Sequence, residues 1–119
     1  MPRLAWIFQL EGLIAPYATR SDDGTIDWGE PDHGHVSLMR VLLRGDGRII
    51  VSTDLASRAD QPVLHAWLEK YRIPVCLITI IDDGRSHLQK AEDWFKETRP
   101  DDPDRIVGVF EKGAAPRNL

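Results

Sequence analysis

Gln9 and Glu11 stand two residues apart where the apolar run LAWIFQL breaks into EG. A carboxylate at such a strand end can shuttle a proton or face a cation. The Gln9 amide is neither a nucleophile nor an anionic oxygen ligand, because its nitrogen lone pair is delocalised and it carries no charge. Other side chains with chemical capacity also follow apolar runs: Ser52 and Thr53 after RIIV, Asp82 and Asp83 after VCLITII, Glu111 and Lys112 after RIVGVF. Lys90 lies early in SHLQKAEDWF, where the helix macrodipole mildly disfavours a cation, so its placement points to an anion contact or to ancestry. Ser52 and Lys90 read equally well as anion contacts and as solvated surface. Asp82 and Asp83 sit where a helix wants an N-cap, and capping is preferred to metal binding there. His33 and His35 in DHGH lie near Asp22, Asp23 and Asp32, but a metal needs three or four converging ligands, and spacing alone does not supply them. His65 and His87 read as helix-surface residues. Cys76, the single cysteine, excludes an internal disulfide and a cysteine cage, and it reads as core packing.

The elements that must position these groups follow from hydrophobic spacing. LAWIFQL (4–10), RIIVS (48–52), IPVCLITII (73–81) and RIVGVF (105–110) are short, β-branched and nearly continuous, the pattern of strands buried on both faces. Between them Val36, Met39, Leu42 and Leu43, then Val63, Leu64, Trp67, Leu68 and Tyr71, then Leu88, Ala91, Trp94 and Phe95 recur at helical spacing. Trp67, Trp94 and Trp6 are read as core. Asp32, Asp60 with Pro62, and the polar IDDGRS supply helix starts, and RGDG a stop. The alternation predicts an α/β fold: a Rossmann-like three-layer sandwich with a mostly parallel sheet of four or five strands, its ligand end at the strand carboxyl ends. There the backbone N–H groups of residues 10–13 are expected to be able to hold a phosphate or carboxylate. Residues 1–112 read as one domain. Within it 16–35 is a flap-like insertion in which DDGT turns a hairpin and Trp28 pins it, and 113–119 is a frayed tail.

Composition narrows the function classes. With 119 residues, 42% hydrophobic and 29% charged, the chain can bury a core without covalent or metal staples. A formal charge of −4 without a basic cluster gives no clear nucleic-acid footprint. The longest apolar runs are too short to span a bilayer, and MPRLAWIFQL has no cleavage-site pattern, so a cytoplasmic location and no membrane partner are expected.

Read together, these segments resemble the haloacid dehalogenase (HAD) superfamily of phosphotransferases, and more narrowly the phosphatase domain of polynucleotide kinase-phosphatases. WIFQLEGLIAP is similar to the family's strand plus DxDGT, keeping Gly12 but giving Gln9, Glu11 and Leu13 at the reactive positions. IIVSTD keeps Ser52, LHAWLEKYRIPV matches the following helix, Lys90 falls at the motif lysine, and VGVFEKG places Phe110, Glu111 and Lys112 where the family has DDR.

The resemblance implies a HAD-like fold without a large cap domain. It also implies a nucleophile at position 9, an acid–base group at 11 and magnesium to neutralise the phosphoryl charge. Gln9 cannot attack phosphorus, and the extra methylene of Glu11 displaces its carboxylate by roughly 1.5 Å, one C–C bond. A misplacement of about 1 Å can already cost about a hundredfold in rate. Leu13 removes a hydroxyl and Phe110 a metal-binding carboxylate.

The expectation is therefore a catalytically inactive pseudophosphatase acting as a protein-interaction or regulatory module. It has no intact catalytic residue, no metal and no cofactor. Its partner is a protein, a second copy of itself across an uncovered sheet edge, or a phosphorylated small molecule or nucleotide held by Gly12, Ser52 and Lys90. The alternative is a weak magnesium-dependent phosphomonoesterase, similar to a polynucleotide 3′-phosphatase, using Glu11, Glu111 and Lys90. The missing cap suggests a stand-alone accessory protein of the kind phages and mobile elements carry.

Overall fold

The computed structural model describes residues 3–55, 58–73, 77–80, 84–101, 104–113 and 117–118. In chain order they form β1 (Leu4–Gln9), the short strands β2 (Thr19–Arg20) and β3 (Ile26–Asp27), α1 (His33–Arg44) and β4 (Arg48–Thr53). A 3-10 turn (Arg58–Asp60) then leads to α2 (Gln61–Lys70), β5 (Leu77–Ile80), α3 (His87–Thr98), β6 (Arg105–Phe110) and β7 (Arg117–Asn118). The strands lie in the order β5-β4-β1-β6-β7, parallel except for β7.

The apolar runs are continuous because both faces of the sheet are covered. Side chains alternate between faces, so Phe8, Ile49 and Val51 meet Val36 and Met39 of α1 and Leu64 and Leu68 of α2. Ala5, Ile7, Ile50 and Val109 meet Ala91 and Phe95 of α3 on the other side. Trp67 and Trp6 pack against the first cluster and Trp94 against the second. Helices α1 and α2 carry the chain outward from β1 to β5, and α3 returns it across the opposite face to β6, beside β1. The winding thus reverses at β1, and in open α/β sheets the crevice at such a reversal, beyond the strand carboxyl ends, is where ligands bind.

The helix starts divide between expectation and surprise. Asp32 caps α1, its Oδ1 accepting from the N–H groups of Gly34 (3.0 Å) and His35 (3.3 Å). Asp60 and Pro62 open α2, yet the Asp60 side chain makes no capping bond. At α3 the cap is Ser86, whose Oγ accepts from Gln89 N–H at 3.1 Å. Asp82 and Asp83, expected in that role, lie outside the described residues, as does Cys76.

The insertion does fold back as a hairpin: β2 pairs with β3, and Ser21 N–H donates to Thr25 O at 2.8 Å. Trp28, only 2% exposed, tilts against Trp67 at 6.2 Å between ring centroids, and Trp67 Nε1 donates to Gly29 O at 2.8 Å. Residues 117–118, read from the sequence as part of a frayed tail, instead pair antiparallel with Gly108 and Val109 of β6. The N–H and C=O groups on that side of β6 would otherwise form an unpaired sheet edge. Among the described residues no helix is long and apolar enough to cross a membrane.

Candidate functional site

The crevice between β1 and β6 is bridged by the chain itself. Phe8 and Phe110, register partners on the two strands, stack with ring centroids 4.5 Å apart and planes 7° from parallel. Just beyond them Gln9 spans the gap: its Nε2 donates to Glu11 O at 2.9 Å, and its Oε1 accepts from Lys112 N–H at 2.9 Å. Gly12 has a positive φ of 83°, and a Cβ there would collide with the Lys112 side chain lying across it. The loop turns its amides inward. Leu10 N–H donates to Ser52 O (2.8 Å), Gly12 N–H to Ala15 O (2.9 Å) and Ala15 N–H to Leu10 O (2.8 Å). The N–H groups of Leu10 and Gly12, read from the sequence as anion donors, are thus committed to main-chain acceptors. The loop satisfies these groups within itself and on the neighbouring β4.

Polar side chains converge one strand over, where β1 and β4 end and α3 begins. Glu11 takes Thr53 Oγ1–H on Oε2 (2.6 Å) and Asp54 N–H on Oε1 (3.0 Å). Lys90, 2% exposed, donates from Nζ to Asp54 Oδ1 at 2.6 Å and to Thr53 O at 3.2 Å. One turn earlier on the same face of α3, His87 Nδ1 lies 2.5 Å from Ser52 Oγ, and its Nε2 faces Asp54 Oδ2 across 3.7 Å. A cation in the first turn of a helix opposes the macrodipole, and the Asp54 carboxylate offsets that cost.

Ser52, His87 and Asp54 fall in the order of a nucleophile, base and orienting carboxylate. Ser52 is fully buried, however, so no substrate carbonyl or phosphoryl group can approach Oγ, and the hydroxyl serves to fix the imidazole. Among the described residues, Glu11, Asp54 and His87 form a cluster of groups able to hold a metal ion. Each offers one ligand atom, and these atoms lie within 4.8 Å of one another.

The structure therefore brings Glu11, Ser52 and Lys90 together, while Gln9 and Gly12 stand beside them at the crevice. Glu111 follows β6 and is not one of the three clustered ligand groups. His33 and His35 make local pairs with Glu30 (3.5 Å) and Asp32 (3.1 Å), and among the described residues no third ligand converges on them. Ser52 and Lys90 are interior groups rather than solvated ones, and His87 corrects its reading as a helix-surface residue. His65 is exposed as expected. Two members, Asp54 and His87, were missed by sequence reasoning. The available signals were the position of Asp54 directly after Ser52 and Thr53, and the i,i+3 spacing of His87 and Lys90. Comparison with protein-family models, with curated proteins and with solved structures gives no match for this chain.

Proposed function

We propose that the chain is a HAD-like, phosphatase-like domain that does not turn over phosphate esters and works by holding a protein partner, a second copy of itself or a phosphorylated ligand. The observation that carries this reading is the double hydrogen bond of Gln9 across the β1–β6 crevice. The position that would attack phosphorus holds an amide whose donor and acceptor both tie down main chain. The Phe8–Phe110 stack occupies volume where a metal-binding carboxylate would stand. Lys90 keeps the charge needed to hold a phosphate, but Asp54 already neutralises it, so an incoming phosphate has to displace that carboxylate.

A phosphatase assay with magnesium, using p-nitrophenyl phosphate and a 3′-phosphorylated oligonucleotide, tests the reading. We expect no release of phosphate above the buffer blank. Turnover that disappears in Glu11→Ala would instead establish the magnesium-dependent phosphomonoesterase. Binding is read separately: inorganic phosphate should raise the melting temperature of the wild type and leave Lys90→Ala unmoved.

A further inference from the structure

We propose that Glu11, Asp54 and His87 form a binding site for a zinc-type divalent ion. This goes beyond the non-hydrolysing reading, which stands or falls without it. The three ligands arrive from three separate segments, the loop after β1, the residue after β4 and the first residue of α3, and their ligand atoms lie within 4.8 Å of one another.

The spacing between His87 Nε2 and Asp54 Oδ2 is informative. At 3.7 Å it exceeds hydrogen-bond reach. Two atoms sharing a tetrahedral ion through bonds of about 2.0–2.1 Å would stand roughly 3.3 Å apart, so a small rotation of the half-exposed Asp54 closes the gap.

Each ligand is also oriented by a group that is not itself a ligand, as metal-binding side chains usually are. Ser52 Oγ, 2.5 Å from Nδ1, fixes the His87 ring with Nε2 toward Asp54, and the tautomer with its proton on Nδ1 leaves the Nε2 lone pair for a metal. The Glu11 carboxylate is oriented by Thr53 and the Asp54 N–H, and Lys90 holds Asp54 Oδ1, turning Oδ2 to the imidazole. Each carboxylate oxygen retains a lone pair for a metal.

Charge and donor type choose the ion. Two carboxylates against one ammonium leave a net charge of −1 that attracts a dication, and with the ion bound the cluster carries +1. Imidazole with carboxylates suits zinc, whereas magnesium demands six oxygens in near-ideal octahedral geometry. Three protein ligands leave a fourth position open, where an anionic group of a partner or small molecule can join.

The test uses untagged protein stripped with a chelator and then given Zn2+, Co2+ or Mg2+ alone. Excess Zn2+ should raise the melting temperature by about 5 °C or more, and Mg2+ at the same concentration should not. Co2+ should add visible d–d absorption. Both signals should vanish in His87→Ala and in Glu11→Gln, the latter keeping an oxygen to accept from Thr53 or Asp54. They should persist in the double variant His33→Ala/His35→Ala, which removes the other histidine pair. Absence of a Zn2+ shift in the wild type, survival of the shift in Glu11→Gln, or its loss in the His33/His35 variant would each overturn the site. The magnesium phosphatase assay is blind to all three outcomes, so the two proposals fail separately.

Discussion

Gln9 is most informative for what its amide does structurally. Donor and acceptor face opposite partners, Glu11 O and Lys112 N–H, so only a side chain with both functions at this length closes the crevice. Gln9→Ala removes two hydrogen bonds at the carboxyl end of the central strand and should cost about 1–3 kcal/mol. Gln9→Glu keeps the acceptor for Lys112 but sets a carboxylate against the Glu11 carbonyl, and should be no better tolerated than alanine. Urea unfolding at constant m-value measures both. Equal stability of wild type and Gln9→Ala would mean that the bridge contributes nothing. Glu11 and Lys90 are bound into a second network through Thr53 and Asp54. This network could not be read from the sequence, because hydrogen bonds between residues 36 to 43 positions apart leave no periodic trace.

At the scale of elements, the sequence was most legible where local chemistry decides the outcome. Strands β1, β4 and β6 appear as unbroken apolar runs because sheet burial on two faces erases alternation, and Asp32 precedes α1 as a cap. The cap of α3 was harder to place, since IDDGRS offers three capping residue types and only the chain path selects Ser86. Asp32 also gives a pH dependence with a defined sign. Desolvation pushes its carboxyl up, but hydrogen bonds from the His35 side chain and main chain, the His35 charge and the Gly34 N–H together outweigh it. The group titrates below the ordinary 3.8. A carboxyl depressed in the folded state stabilises fully above its unfolded value, and that contribution is lost as pH falls through the folded one. Asparagine caps as well as aspartate but does not titrate. Asp32→Asn should therefore flatten the acid limb of the stability profile below about pH 4, while leaving a helical circular-dichroism spectrum unchanged at pH 7. An acid limb identical to the wild type would remove Asp32 from the account of acid unfolding.

Across the whole molecule, stability should be layered by how each part is held. Strand β1 is hydrogen-bonded on both sides, to β4 and β6, and Ile7 and Phe8 lie in separate cores on its two faces, so its amides can open only when the sheet comes apart. The β2–β3 hairpin has only two register pairs, and it is anchored by the buried Ile26, by Arg20 donating to Leu55 O and pairing with Asp60, and by a tryptophan seam: Trp28 against Trp67, with the Trp67 indole donating to Gly29 O. Trp67→Phe keeps most of the aromatic volume and removes that donor. Native-state hydrogen exchange should then show faster exchange at Ser21 and Gly24, whose amides close the hairpin turn, by about tenfold for each 1.4 kcal/mol lost locally. Ile7 and Phe8 should slow or quicken only with the global unfolding free energy. If hairpin and central strand shift together by the same factor, the flap is one cooperative piece with the sheet, and the seam does not act as a separate hinge. If they part, the β2–β3 hairpin can lift from the body while the sheet and α3, which position Glu11, Asp54 and His87, stay intact.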